Sequence, residues 1–378
     1  FWDHWKLEMK LMFIVFEMPK FNGSGAVLRN YALQTSLSRL GQLTTVTVQE
    51  YIKTGKAHPR RKPSFIEADL SEAIIANVVR RVTEADSDLV IVEGIYLADI
   101  SRALRALNHR VVVDMHNVES ALLKEIDIAR KGWWAHVLYR ARWAKAKAAE
   151  VRLMECISEA WVCSEQDATR LSRIASRALP IKVVQNPIPA WCNDAAPSRE
   201  LSGIKLLFVG HLGYRPNIRA VERLIQHIHP AIRHVSPDAS LDICGRSPGK
   251  KLMRLCQQSP NTRLIVNPED LGPIYADATV AVIPLNIGGG TRLKILEALA
   301  LGIPVVASAK AAEGLNLVPE ETHLEAETND EFAAMVHRIA TDHSLRARLK
   351  KTGREFAQTH HGKTAIDRAI MVALQLQT

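Results

Sequence analysis

Short unbroken apolar runs alternate along this chain with longer stretches in which apolar residues recur every three or four positions. An unbroken run of four to six fits a strand covered on both faces, and the wider spacing fits a helix with one face turned inward. In the first half the strand runs are Leu11–Phe16, Leu43–Val48, Leu89–Val92, Val111–Asp114, Ala160–Cys163 and Ile181–Val184. Helical spacing predicts helices over Ala26–Leu40, Ser71–Ala85, Leu97–Leu107 and Ser120–Ile157, and one more capped by Ser164. Such alternation predicts an α/β fold with a doubly wound parallel sheet. Ligands of these sheets sit beyond the carboxyl ends of the strands. Two distinctive loops, PKFNGSGA after the first run and DMHNVES after the fourth, lie there.

The pattern then breaks and restarts. Asn186–Gly203 is rich in Pro, Ser and Ala, including Pro187, Pro189 and Pro197, and reads as a linker. Beyond it come strand runs at Lys205–Val209, Ser240–Cys244, Thr262–Val266, Thr279–Ile283 and Val305–Ala307, with a helix from Asn217 to about Ile232. Asp330–Thr341, Ser344–His360 and Thr364–Gln377 close the chain as helices. The 378 residues leave room for two domains of about 150–200 residues each. The expected division is 1–187, a linker at 188–203, a second domain at 204–360, and a last helix, 361–378, joined to the first domain.

Composition narrows the picture modestly. The chain is 47% hydrophobic and 24% charged, ordinary for a globular protein. No run of about 18 apolar residues is present, so no spanning helix is expected. The opening FWDHWKLEMK lacks the apolar core of a secretory signal. Cys156, Cys163, Cys192, Cys244 and Cys256 show no metal-binding spacing and read as reduced packing residues of a cytoplasmic protein. The net charge of +9 favours anionic partners. Basic residues gather at Arg60–Lys62 and at Arg130–Arg152, where Trp133, Trp134, Tyr139 and Trp143 interleave and Glu150 is the only acid. That stretch reads as an amphipathic helix with its aromatic side packed inward. A peripheral contact with an anionic membrane face is the other reading. Charge alone suggests nucleic acid, with no recognition helix or aromatic–basic sheet motif to support it, and none is expected as a partner. The pairs His227/His229 and His360/His361 lack the partners a metal needs, and no metal is expected.

The most distinctive chemistry is the stretch Ile283–Leu315. Gly288, Gly289 and Gly290 follow a strand run and leave backbone room for a ligand. Thr291 is placed to cap the helix that follows. A glycine turn at a helix start gathers free N–H groups and suits an anion. Arg292 and Lys294 put cations in the first turn, where an anionic partner would compensate them, and Glu297 lies one turn on.

The string GGGTRLKILEALALGIPVVAS resembles the donor-binding signature of retaining GT-B glycosyltransferases of family four, the glycosyl transferases group 1 type. The resemblance implies two Rossmann-like domains facing a cleft, with the last helix crossing back to the first. It implies transfer of a sugar from a nucleoside-diphosphate sugar, of UDP or GDP type, to a hydroxyl acceptor on a glycan, lipid-linked or small molecule. No further cofactor or metal is implied, and the leaving phosphate acts as base. The family carries two glutamates in this element; Glu297 matches the second, which would take the ribose hydroxyls, and Gly289 stands in place of the first. Gly288–Thr291, Arg292 and Lys294 would hold the diphosphate. His211 stands near a usual arginine, and Arg215 precedes Pro216 in a YxPN variant of that loop. Arg246 and Glu269 lie in loops that hold the base. His116 would orient the transferred sugar, and Asn117 and the Gly23–Ser24–Gly25 loop approach the acceptor. Asp114 reads as a shaper of its turn. The same fold also serves sugar-nucleotide 2-epimerases and catalytically silent binding proteins.

Overall fold

A computed structural model describes residues 9–21, 23–53, 60–61, 66–128, 133–193, 203–289 and 292–375. The chain divides into two compact units, Phe1–Asn186 with Ile366–Thr378, and Pro187–Ala365.

Unit 1 holds six parallel strands: β1 Lys10–Val15, β2 Gln42–Thr47, β3 Leu89–Glu93, β4 Val111–Met115, β5 Glu159–Val162 and β6 Ile181–Val183. Their order is β2-β1-β3-β4-β5-β6. The central strands are buried along nearly their whole length, as their unbroken apolar runs require. Helix α1, Gly25–Leu40, starts one residue earlier than the sequence suggests, because Ser24 caps it by accepting from the Val27 N–H. A short helix at Val48–Lys53 follows β2 directly, although its β-branched start reads as strand. The predicted helix over Ser120–Ile157 falls in two described stretches, Glu119–Ile128 and α2, Trp133–Cys156.

One face of this sheet is covered by α1 and by the last helix of the chain. Leu33 and Leu37 share a core with Phe13, Ile91 and Trp161, and Ile366, Ile370 and Leu374 complete it. An ion pair between Arg39 and Asp367 ties that last helix to α1.

Unit 2 holds β7 Lys205–His211, β8 Ser240–Arg246, β9 Thr262–Val266, β10 Val280–Ile283, β11 Val305–Ala307 and β12 Leu324–Glu325. They are parallel, in the order β9-β8-β7-β10-β11-β12, the doubly wound nucleotide-binding order. Helix α3 spans Arg215–Arg223 with Pro216 in its first turn, so it starts before Asn217. It continues through a π-helical turn at Leu224–Ile228 into His229–Val235. Helix α4 is Leu293–Ala300, and α5, Lys363–Ala373, is the last helix. Most of the expected linker, residues 194–202, lies outside the described residues.

In each sheet the strand order reverses at one point, between β1 and β3 and between β7 and β10. Crevices at the carboxyl ends of such points are where doubly wound sheets bind ligands. The Gly23–Gly25 loop follows β1, and the glycine turn follows β10.

Candidate functional site

In unit 2 the carboxyl ends of β7 and β10 carry a compact polar cluster. The Lys294 ammonium donates to Asn217 Oδ1 at 2.8 Å and lies 4.3 Å from the centre of the Phe208 ring. Asn217 in turn donates from Nδ2 to the His211 carbonyl at 3.0 Å. Gly210 makes this possible: a Cβ there would stand 2.8 Å from Lys294 Nζ and 2.9 Å from Asn217 Nδ2. So Gly210 does not terminate its strand as the apolar pattern suggests; the strand runs on to His211, and the missing side chain houses the lysine. Burial, and then the Arg292 charge, push the Lys294 ammonium down to about 7, against the pull of Glu297. A lysine so placed is charged at neutral pH only marginally, and an arriving anion would secure its proton.

Glu297 is buried on α4 and accepts from the Tyr275 hydroxyl at 2.7 Å. Burial raises its pKa, opposed by that hydrogen bond and by Lys294. Tyr275 packs on Trp191, with ring centres 5.8 Å apart. Neither Asn217 nor Tyr275 stands out in the sequence as a site residue.

Arg292 closes the glycine turn. Its guanidinium turns back on the glycine turn, with Nη2 donating to the Gly288 carbonyl at 2.6 Å and Nη1 to that of Gly289. Gly288 has φ +135, and a Cβ on it would meet Arg292 Nη2 at 3.1 Å. Arg292 therefore shapes the turn and adds positive potential, while Lys294 is the cation beside the strand ends. Gly290 and Thr291 lie outside the described residues. The cap position of α4 is Arg292, without a side-chain cap bond. His211 and Arg246 are exposed at the last positions of β7 and β8, paired in register. Arg215 opens α3, and Glu269 is exposed in the loop after β9.

In unit 1 His116 follows β4, with Nε2 3.2 Å from Asp114 Oδ2. Nε2 makes no well-aligned hydrogen bond there, and the pair is a close contact of the ring nitrogen with the carboxylate. Asp114 is not the local turn-shaper expected. It is fully buried and takes two hydrogen bonds from Arg29, Nε to Oδ2 at 2.8 Å and Nη2 to Oδ1 at 2.5 Å. Burial alone would raise the Asp114 carboxyl; Arg29 and His116 hold it well below the usual range. Asn117 turns from Nδ2 to Glu119 at 3.4 Å. Gly23 has φ +149, and Gly25 is the first residue of α1.

Among the described residues no three His, Cys, Asp or Glu side chains gather as a metal site. His229 is buried with Nε2 3.1 Å from the Ala239 carbonyl, and the His360 and His361 rings pack on Phe356. The chain does carry an Asp-x-Asp pair, Asp86–Ser87–Asp88, a spacing that can hold a divalent ion. It lies at the amino ends of β1 and β3, where Asp88 accepts from the Lys10 N–H at 2.7 Å. That is the end of the sheet opposite the glycine loop.

Residues 203–342 match the family model described as "Glycosyl transferases group 1". A Klebsiella pneumoniae protein, "Uncharacterized 44.6 kDa protein in cps region", is 28% identical over 123 residues, 30% of this chain and 31% of its own length. Among solved structures, sucrose-phosphate synthase from Thermosynechococcus elongatus aligns with TM-score 0.72 at 18% identity, over 97% of this chain and 98% of its own. Anabaena HepE in complex with UDP-glucose aligns with TM-score 0.69 at 14% identity, over 97% and 99%. Residues 203–342 therefore match the glycosyl transferases group 1 model, and the chain has the GT-B fold, two Rossmann-like domains, of these solved structures.

Proposed function

We propose that the chain transfers a sugar from a nucleoside-diphosphate sugar to a hydroxyl acceptor with retention of configuration at the sugar carbon. The observation that carries this reading is the Lys294 ammonium held between Gly210, Asn217 and Phe208 at the carboxyl ends of β7 and β10. It stands one turn from Glu297 on the same helix, a spacing that supports a diphosphate contact beside a ribose contact. HepE, of the same fold, is described with UDP-glucose bound, which supports a UDP-sugar here. As the glycosidic bond breaks, negative charge grows on the leaving diphosphate. Lys294 and the N–H groups at the start of α4 stabilise it, and its own oxygen then takes the proton of the acceptor hydroxyl. His116 is the residue assigned to the reacting sugar. Because the counter-charge comes from fixed side chains and helix, the reaction needs no divalent ion. No observation favours the epimerase reading.

The test is a thermal-shift panel of UDP, GDP and ADP with their common sugars, followed by transfer or slow hydrolysis of the best donor in excess EDTA. A UDP or GDP sugar should raise the melting temperature with concentration, and turnover should survive EDTA. No shift with any nucleotide would remove the donor assignment, and activity restored only by magnesium or manganese would remove the metal-free mechanism.

The basic stretch leads to a second, separable expectation. Residues 130–132, and the side chains of Trp133–His136, lie outside the described residues. In the rest of α2, Tyr139, Ala146, Leu153 and Met154 turn inward, and Glu150 is buried with Oε1 accepting from the Ser120 N–H at 3.2 Å. Val137 and Leu138 stand 48% and 65% exposed beside exposed Arg140, Arg142 and Lys145. No described helix is long and apolar enough to cross a membrane. We expect weak, salt-sensitive flotation with anionic liposomes and none with neutral ones. Equal flotation with both would return this face to ordinary solvated surface.

A further inference from the structure

Arg29 has no part in the proposed reaction, yet it is among the largest fully buried side chains of the molecule. It sits on α1, just after the Gly23–Gly25 loop, and spends its guanidinium on two targets. Nε and Nη2 grip both oxygens of Asp114 at 2.8 and 2.5 Å. Nη1 donates to Asn186 Oδ1 at 3.0 Å and to the Gln185 carbonyl at 3.2 Å. Gln185 and Asn186 are the last residues of unit 1 before the chain passes into unit 2. Asp114 also meets His116 Nε2, at 3.2 Å.

The chemistry follows from these partners. A bidentate arginine locks a carboxylate in plane and in rotation, which a lysine cannot do. Of the two neutral tautomers of the ring, an anion fixed 3.2 Å from Nε2 favours the one with its proton on that nitrogen, because a lone pair facing a carboxylate is repelled. Nδ1 is then the acceptor. A histidine in that form can take a hydrogen bond from a hydroxyl, and it cannot donate one from Nδ1. We propose that Arg29 is a positioning residue: by clamping Asp114 it holds His116 in the Nε2–H tautomer, with Nδ1 offered as acceptor, and it anchors this arrangement to the segment where the chain leaves unit 1. The tautomer rests on geometry alone; the consequence for turnover rests on the glycosyltransferase reading.

Two measurements test it. In the first, the full chain is labelled with ring-15N histidine, and the His116 signals are identified by subtraction with His116→Ala, at a pH where the ring is neutral. The protonated nitrogen should be Nε2 in the wild type, and Arg29→Lys, still folded by thermal unfolding, should give a mixture of tautomers. A proton on Nδ1 in the wild type, or an unchanged spectrum in Arg29→Lys, would overturn the proposal. Should Arg29→Lys fail to fold, Asn186→Ala loosens one arm of the clamp while sparing the Asp114 pair, and a partial shift of the same signals is expected; none would count against it. The second measurement is a double-mutant cycle on turnover. Arg29→Lys should lower kcat at least tenfold with unchanged affinity for nucleoside diphosphate, and should change it less than twofold when His116 is already alanine. Additive losses would show that Arg29 does not act through His116. A wild type without turnover would instead fault the functional reading and leave the tautomer result standing.

Discussion

Replacing Lys294 with Met should cripple donor binding and make the empty protein more stable. On the proposed reading the substitution removes a charge-assisted bond to a diphosphate in a partly dry site, worth roughly 2–4 kcal/mol, or about 30- to 1,000-fold in affinity. The gain in stability has a separate cause. The folded-state ammonium is pushed from the ordinary 10.5 down to about 7, so the unfolded chain holds this proton more tightly. Below about pH 7 the ammonium is charged in both states and the penalty for burying it is fully present; it fades as pH rises toward 10.5. The Met variant should therefore melt higher than the wild type, by about 1–3 kcal/mol at neutral pH, with a smaller gain at pH 9. In the wild type, nucleoside diphosphate should bind with proton uptake above neutral pH, seen by calorimetry in buffers of different ionisation enthalpy. Affinity should fall as pH rises through 7. A Met variant with wild-type nucleotide affinity would place the donor elsewhere.

His116→Ala should lower turnover by about 100-fold or more while leaving nucleoside-diphosphate affinity unchanged. His116 belongs to unit 1, and every side chain assigned to the nucleotide belongs to unit 2. On the proposed assignment its removal takes away an interaction with the reacting sugar and none with the nucleotide. Kinetics with the donor found by the thermal-shift panel, beside calorimetry with the bare nucleoside diphosphate, separates the two. Unchanged turnover would make His116 an ordinary loop residue.

The central sheet strands are legible in the sequence because they are covered on both faces and so read as unbroken apolar runs, whereas β12, two residues long, is not. Val111–Met115 and Val280–Ile283 are buried throughout. Val48–Lys53 is not legible, since its first residue continues the β-branched pattern of β2 and nothing local marks the change to helix. In the site, the glycine turn with Arg292, Lys294 and Glu297 can be read because its residues are neighbours in the chain. Arg29 and Asn217 cannot. Their partners, Asp114 and Lys294, lie 85 and 77 residues away, and a lone arginine or asparagine on a helix has no spacing signature. Arg292 is legible as a cation but not as one turned back on its own loop, because the direction of a side chain depends on tertiary packing.

The last helix carries one more implication, for how the molecule comes into being. Unit 2 is contiguous from Pro187 to Ala365, whereas unit 1 is assembled from both ends of the chain. A ribosome delivers the strands of unit 1 first, but Ile366, Ile370 and Leu374, which finish the layer over Leu33 and Leu37, come only after all of unit 2 has been made. Until then the apolar side of α1 and β1 lacks its cover, and the earlier half of the nascent chain is the half exposed to chaperones and proteases. Maturation thus runs against the order of synthesis: unit 2 can close on its own residues, and unit 1, made first, is sealed last.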